Sequence, residues 1–234
     1  SPRCSENALR CSRGRVEAIG RFCLRGGALR SCAHISPMYQ GIQTALSVLF
    51  PPACLGCRSL VDRDFALCGK CWRETPFIGG ACCNMCGAPQ QGPTETGEQI
   101  VCDACLKQPR NWISGRAALL YQDNGRRMVL GLKHGHRHEI ARMAGGWMVQ
   151  AVADLLTPET LIVPVPLHWT WLLGRTFNQS ALLARAMTLD CGTEMLPDAL
   201  VRIRRTVSLD RRSPKERQET LEHCMRATRH GEAA

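Results

Sequence analysis

Eight regularly spaced cysteines are the residues of this sequence best suited to chemistry. They form four Cys-x-x-Cys pairs: Cys54/Cys57, Cys68/Cys71, Cys83/Cys86 and Cys102/Cys105. The turn within each pair presents both sulfur atoms on one side, and two pairs make a closed tetrahedral Cys4 site of the kind that holds structural zinc. We therefore predict two Zn²⁺ sites that stabilise a fold and leave no coordination position for catalysis.

The gaps between the pairs favour two zinc ribbons in series. Ten residues separate Cys57 from Cys68, and fifteen separate Cys86 from Cys102. Each gap can form a small hairpin that brings two cysteine pairs next to each other. The spacing does not determine which pairs share a metal. The alternative is a disulfide framework or a set of scattered buried thiols. Disulfide-bonded cysteines seldom fall into four such pairs, so zinc is the preferred interpretation.

One ligand requires a choice between two neighbouring cysteines. Cys82 directly precedes Cys83 in the sequence. We assign Cys83 to the metal because it keeps the two-residue spacing to Cys86, and because Gly87 follows that pair. Cys82 is then a thiol without a metal role.

The composition suits a protein that meets polyanions in a reducing compartment. The chain has 234 residues, of which 44% are hydrophobic, enough for a medium domain and a small one. Its formal net charge of +10 suits nucleic acid, phosphorylated metabolites or acidic membrane surfaces as partners. With eight of the fifteen cysteines assigned to metal, we expect a cytoplasmic location. No apolar run approaches the roughly 20 residues of a membrane span.

The chain divides into three segments. Residues 1–38 are basic and carry cysteines without paired spacing, so we expect a disordered extension, with a nucleic-acid-binding arm as the alternative. Residues 39–109 are expected to form a double zinc ribbon with a leading amphipathic helix at Tyr39–Phe50 and an exposed hairpin tip at Gln90–Gln99. Residues 110–234 alternate between strand and helix patterns, which predicts an α/β fold with parallel strand pairing.

Hydrophobic periodicity predicts the elements of this last segment. Ser213 and Glu216 form a capping-box pattern, which predicts a final helix that runs to about Arg229, with Leu221 and Met225 pointing inward. The other predicted elements are a strand at Gly115–Tyr121, helices at Arg126–Lys133, Glu139–Leu156 and Phe177–Thr188, a short buried strand at Leu161–Pro166, and an extended segment at Leu196–Ile203.

Two stretches of the α/β segment could contact an anion. Lys133 ends a predicted helix beside a glycine turn and is followed by three alternating histidines, His134, His136 and His138. A lysine there can meet a phosphate, and we expect the histidines to form a basic surface turn in preference to a metal site. The second stretch, Pro164–His168, follows a predicted strand. Its Pro-x-Pro fixes the backbone direction and leaves the next amides free to face an anion, unless it only stiffens the strand exit.

A third stretch combines helix capping with positive charge. Asn178 or Thr176 could cap the following helix, whose N-terminus would then favour an anion. The arginines near residues 202–205 would supply countercharge, unless they form an ordinary solvated face. The ligand-binding candidates from the three stretches are Lys133, Pro164, Val165, Pro166, Leu167, His168, Arg175, Asn178, Gln179, Arg204 and Arg205.

These motifs, in this order, resemble the competence protein F (ComF) family. The resemblance rests on the zinc pairs, Leu-Lys-x-Gly, Pro-Val-Pro-Leu-His, Arg-x-Phe-Asn-Gln and Arg-x-Arg-x-Thr, and it covers about Tyr39 to Arg229. It implies a double zinc ribbon followed by a type I phosphoribosyltransferase fold, and a role in handling incoming DNA. It also implies that Pro164–His168 line a pyrophosphate pocket for phosphoribosyl pyrophosphate (PRPP) and that Lys133 matches a family lysine. Arg175, Asn178 and Gln179 match a shared motif without assigned roles.

The chain departs from the type I transferase pattern at its most important ligand loop. Those enzymes hold the ribose of PRPP with two adjacent acidic residues that precede a Thr/Gly-rich loop. This sequence contains no two adjacent acidic residues and ends at Ala234, where that strand would begin. We therefore expect a domain truncated before the PRPP loop, catalytically incomplete, and with an exposed sheet edge. PRPP binding is expected only in a full-length form.

Three functions compete on these grounds. The first is a ComF-type accessory protein of DNA uptake, with single-stranded DNA and proteins of DNA uptake or recombination as partners. The second is a zinc-ribbon nucleic-acid-binding module without enzymatic activity, for which Trp72, Trp112 and Trp169 are the expected exposed stacking residues. The third is a phosphoribosyltransferase acting on a base or amine when full length. Replacement of Cys68 by Ser is expected to unfold the first ribbon and leave the helices of 115–230 intact.

Overall fold

The computed structural model describes residues 49–92, 100–207, 209 and 212–233. The expected extension at 1–38, nearly all of the expected leading helix, and residues 93–99 of the expected hairpin tip lie outside the described residues. All described residues belong to one compact unit that spans Ala45–Ala234. No helix within the described ranges is long and apolar enough to span a bilayer.

The ribbon region contains two short helices that each follow a ligand cysteine. Helix α1, Gly69–Arg73, begins after Cys68, and helix α2, Asp103–Lys107, begins after Cys102. Single antiparallel bridges, Ala53 with Leu60 and Cys82 with Pro89, close the two turns that precede these helices. The ribbons are therefore built mainly from turns, and they depend on metal ligation because so little regular structure supports them.

The rest of the unit mixes helices with two small sheets. Strands β1 and β2 are parallel, with Leu161 opposite Glu194, and strands β3 and β4 are antiparallel, with Leu200 opposite Ala227. The predicted α/β class, with an N-terminal double zinc ribbon and parallel pairing, is confirmed. The elements in order are α3 Asp123–His134, α4 Glu139–Ala151, β1 Leu161–Ile162, α5 Trp169–Arg175, α6 Gln179–Cys191, β2 Glu194–Met195, β3 Leu200–Arg202, α7 Pro214–Leu221, β4 Met225–Ala227 and α8 Arg229–Ala233.

The core centres on the contact between α4 and α6. Small residues form this contact, because a Cβ added at Gly145 would lie 2.5 Å from the Cβ of Ala186. Ile140 of α4 and Met187 of α6 are buried beside it. An ion pair between Arg142 and Asp190 joins the same two helices at the surface. The close approach positions α6, whose N-terminal end carries part of the candidate site.

The predicted strand at Gly115–Tyr121 is wrong. The segment is extended, but Leu119 makes only an isolated antiparallel bridge to Phe77. Backbone hydrogen bonds from Ile78 N to Ala118 O and from Leu120 N to Pro76 O flank that bridge. The apolar run therefore pairs with the linker between the two ribbons, a long-range contact that periodicity cannot identify.

Two predicted helices are shorter in the structure. Helix α4 ends at Ala151, five residues before the predicted end, and Asp154 in the following turn pairs with Arg116 at 2.5 Å. The final helix has the predicted capping box between Ser213 and Glu216 but ends at Leu221.

The chain beyond α7 forms a strand where a helix was predicted. Met225 lies on β4 and is exposed, although it was expected to point inward. Cys224 is buried instead, and its carbonyl accepts a hydrogen bond from Ile203 N, so pairing with β3 overrides the helical pattern. Similarly, only Leu161–Ile162 of the predicted 161–166 strand is paired, and helix α5 was not predicted.

Candidate functional site

The first cysteine quartet consists of Cys54, Cys57, Cys68 and Cys71, whose sulfur atoms all lie within 4.8 Å of one another. The Sγ atoms of Cys57 and Cys68 are 3.6 Å apart. Zn–S bonds of about 2.3 Å place the sulfur atoms of a tetrahedral site about 3.8 Å apart. The quartet therefore fits zinc in size, ligand type and number.

The second quartet repeats this arrangement with Cys83, Cys86, Cys102 and Cys105. The Sγ atoms of Cys86 and Cys102 are 3.8 Å apart. Cys82 does not belong to the group, so the choice of Cys83 as ligand is confirmed. All eight cysteines are free of disulfides. Each ribbon joins two consecutive pairs, and the two quartets fit the two expected structural zinc sites.

The two ribbons share one hydrogen-bonding pattern. The N–H of Cys54 donates to Ser59 O at 2.7 Å, and the N–H of Cys83 donates to Ala88 O at 2.8 Å. In each ribbon the N–H of the third cysteine donates to the sulfur of the first, at 3.2 and 3.3 Å. Donors to sulfur stabilise the thiolate form, so the backbone prepares each site for a cation.

The protein environment separates the thiol pKa values within each quartet. The N–H of Cys71 donates to the Cys68 sulfur and lowers the pKa of that thiol to about 6. In the second quartet, burial raises the pKa of Cys86 to about 12. Four sulfur atoms this close cannot all be ionised without a counter-ion, because neighbouring like charges disfavour the thiolate. A divalent cation supplies that charge, and its chemistry here is structural.

The second ribbon is fixed to the segment that follows it. Gly115 N donates to Asn84 O at 2.8 Å, and the indole N–H of Trp112 donates to Met85 O at 2.5 Å. A Cβ at Gly87 would lie 2.7 Å from the backbone nitrogen of Ala117. This contact places the 115–120 segment against the metal turn and explains why it does not join a larger sheet.

The first ribbon is fixed to α3 and α4. The side chain of Asn124, buried in α3, donates to Cys71 O at 3.2 Å. The Arg137 guanidinium, in the loop between α3 and α4, donates to Leu55 O at 2.8 Å. The ring centroids of Trp72 and Phe77 are 4.6 Å apart, and they lie 6.3 and 4.9 Å from that of Trp147 in α4. Two backbone carbonyls beside the first zinc site thus hold the start of α3 and the loop between α3 and α4.

The Pro164–His168 stretch follows β1, at the carboxyl end of a parallel strand as predicted. Pro164 and His168 are buried, and Val165 is exposed. The His168 side chain accepts a hydrogen bond from Thr170 N and caps α5. Pro166 and Leu167 lie between the buried positions and are half-buried.

Asn178 joins this stretch to the third one. Its side-chain amide donates to Val165 O at 3.1 Å, and its Oδ1 accepts from Ser180 N at 3.0 Å, which confirms the predicted cap of α6. The next residue, Gln179, has a buried Oε1 without a hydrogen-bond partner among the described residues. Two of the candidate stretches are therefore in direct contact.

Arg175 and Arg205 converge on one aromatic ring. Their guanidinium carbons lie 5.5 and 5.4 Å from the ring centroid of Trp171. Arg204 does not join them, because its guanidinium donates to the carbonyls of Thr220 and Glu222 at the end of α7. The neighbouring candidates Arg204 and Arg205 thus differ: Arg205 packs on Trp171, and Arg204 holds the end of α7.

The loop after Lys133 reaches the same region through Phe177. The rings of His136 and His138 lie 5.9 and 4.0 Å from that of Phe177. In the part of the chain that the structure describes, the two cysteine quartets are the groups spaced for a metal, and these histidines are not among them. Lys133 lies in the last turn of α3 with an exposed side chain.

Sequence reasoning missed the aromatic residues that organise this region, Trp171 and Phe177, together with helix α5. A signal was present, because Trp171 and Arg175 are four residues apart, the spacing at which helical side chains meet. Arg205 lies 34 positions after Trp171, so its contact with that ring could not be predicted without the fold.

Comparisons with known proteins agree with the ribbon geometry. Residues 45–108 match the family model described as a double zinc ribbon domain. The chain is 28% identical over 187 residues to the DNA utilization protein YhgH of Salmonella typhimurium, covering 75% of this chain and 78% of that protein. The protein of the same name from Salmonella typhi matches with the same identity and coverage. No solved structure matches the chain. The chain thus carries a double zinc ribbon and is similar over most of its length to a protein named for DNA utilization.

Proposed function

We propose that this protein serves DNA utilisation as a ComF-type accessory protein that binds single-stranded DNA. The observation that carries the proposal is the similarity to the DNA utilization protein YhgH, which extends over 187 residues and therefore well beyond the 64 positions of the ribbon match. The relevant partners are single-stranded DNA and proteins of DNA uptake or recombination.

The charge and the exposed aromatic residues support DNA as the ligand. The net charge of +10 favours a polyanion. Trp72, Trp112 and Trp169 are 51%, 52% and 64% exposed, as expected for stacking candidates. Trp72 packs on Phe77, and Trp112 donates to Met85 O. Trp169 has the largest exposed fraction of the three residues. Exposed aromatic rings among basic groups are typical of single-strand binding.

A titration against salt tests this proposal. The zinc-loaded chain is added to a fluorescein-labelled 20-nucleotide deoxythymidine strand, and anisotropy is measured at several salt concentrations. We expect log K to fall linearly with log salt, with a slope of about −0.7 per neutralised phosphate. A duplex of the same length serves as the control and should bind more weakly. An absence of binding, or affinity that does not change with salt, would overturn the proposal.

The PRPP-like site is a second candidate, supported by the position of Pro164–His168 after a parallel strand. Ligands of α/β folds bind at that end of the sheet, and Asn178 holds the loop there. We propose that residues 110–234 form a phosphoribosyltransferase-like domain in which the Pro164–His168 loop binds the pyrophosphate group of a ligand.

Calorimetric titration with PRPP and with pyrophosphate tests this second proposal. Both ligands carry a pyrophosphate group, so both are expected to bind. The absence of binding by both ligands would contradict the proposal. Ribose 5-phosphate is the control for non-specific binding of a single phosphate.

A further inference from the structure

We propose that α5, together with Arg205, forms a binding site for two adjacent nucleotides of single-stranded DNA. Trp171 holds two guanidinium groups for the phosphates, and Trp169 offers its ring to a base. The inference rests on the proposed DNA binding and assigns it to one surface.

The arginine pair is unusual because both guanidinium groups approach the same indole ring. Arg116, Arg137 and Arg142 each form an ion pair with an aspartate or glutamate. Arg175 and Arg205 have no such ion pair among the described residues, yet both lie on one indole ring. A phosphate backbone that reaches this ring is therefore attracted by two positive charges.

Arg205 borders a cleft that offers guanidinium and hydroxyl groups beside one carboxylate, Glu219. The cleft has a volume of about 350 Å³ and is also lined by Arg204, Thr206, Val207 and Thr220. Arg204 already donates to two carbonyls, and the Thr206 hydroxyl accepts from Arg202 at 2.8 Å, so both groups are rigidly held. Arg205 is flanked by these two held residues, approaches the Trp171 ring and also lines the cleft, and its planar guanidinium matches phosphate geometry.

The other face of α5 favours a base over a free phosphate ion. The helix has no buried residue, and its exposed Trp169, Leu172 and Leu173 occupy one face, at the i, i+3 and i+4 positions. The Trp169 ring lies 5.6 Å from the ring of His168, which caps the helix and restrains it. An exposed indole on the same short helix as Trp171 and Arg175 can accept a stacked base from a strand whose phosphates meet the arginine pair.

The experiment compares three charge-neutralising variants in the same anisotropy assay. Arg175→Gln and Arg205→Gln should each weaken DNA binding several-fold and reduce the magnitude of the salt slope by about 0.7. Arg226→Gln, on exposed strand β4, removes the same charge and should leave both quantities near wild type. Equal effects of all three variants would show general electrostatics and overturn the inference, while leaving the proposed DNA binding intact. An absence of wild-type binding would instead overturn the proposed function.

A second pair of variants tests stacking. Trp169→Ala should weaken binding by roughly 5- to 100-fold, and Trp169→Phe should retain most of the affinity. Circular dichroism and zinc content confirm that the variants fold. Inorganic phosphate should displace the strand no better than chloride at equal ionic strength. Unchanged affinity in Trp169→Ala, or efficient displacement by phosphate, would show that the site does not hold a nucleotide.

Discussion

Cys82 and Cys83 are neighbouring thiols with different roles. Cys83 is fully buried, and its sulfur lies within the second quartet, whereas Cys82 lies on the bridge to Pro89. We predict that Cys83→Ser lowers the zinc content from two ions per chain to one, because three thiolates and a hydroxyl bind zinc less tightly than four thiolates. Cys82→Ser is the control and should retain two ions. Elemental analysis of the purified chains measures the ratio, and loss of zinc from the Cys82 variant would refute the assignment.

Arg58 and Gly87 occupy equivalent positions after their Cys-x-x-Cys turns, and both have positive φ, 66° and 74°. Gly87 also meets the backbone of Ala117, so Gly87→Ala should lower the free energy of unfolding by about 2 kcal/mol or more. Arg58→Gly relieves the backbone strain of the folded state, but glycine loses more conformational entropy on folding. Because these effects oppose each other, the free energy of unfolding should change by no more than about 1 kcal/mol. Urea unfolding of the zinc-loaded variants measures both. Equal decreases in the free energy of unfolding for the two variants would show that the close approach of Gly87 to Ala117 does not affect stability.

At the scale of the elements, the contact between α4 and α6 depends on one of two adjacent glycines. A Cβ at Gly145 would meet Ala186, whereas a Cβ at Gly146 would meet only a carboxylate oxygen of Asp190, at 3.1 Å. We predict that Gly145→Ala destabilises the fold by about 1–3 kcal/mol, because the helices must separate. Gly146→Ala should be neutral or should stabilise by up to about 1 kcal/mol through helix propensity. Thermal unfolding distinguishes them, and a neutral Gly145→Ala would contradict the close packing.

The elements also show what sequence patterns can determine. The Ser213–Glu216 capping box and the Asn178 cap were predictable because each acts within three residues. The 115–121 segment and Met225 were mispredicted because their structure depends on partners far along the chain, Phe77 and β3. The candidate site follows the same rule. Its zinc ligands could be read from spacing, but the meeting of Arg175 with Arg205 requires the fold.

At the scale of the whole molecule, the first ribbon supports the α/β region. Leu55, in the first Cys-x-x-Cys turn, and Cys71, in α1, accept hydrogen bonds from Arg137 and Asn124. His136 and His138 also pack on Phe177, next to the Asn178 cap. A continuous set of contacts therefore runs from the first zinc site to the candidate ligand loops. The cysteine spacing alone predicts that this ribbon unfolds independently, whereas these contacts predict that α3 is affected with it.

Removal of the first zinc should therefore loosen α3 and the α3–α4 loop. We predict that Cys68→Ser raises amide hydrogen exchange in 54–75 and also in 123–138, because the carbonyls that accept from Asn124 and Arg137 lose their fixed positions. The core of α4 and α6 should remain protected, since Gly145 and Ala186 do not depend on the ribbon. Cys102→Ser, at the equivalent position of the second ribbon, is the matched control and should raise exchange in 83–117 only. Unchanged protection of 123–138 in the Cys68 variant would show that the ribbon and the α/β region are energetically independent, as the sequence alone suggested.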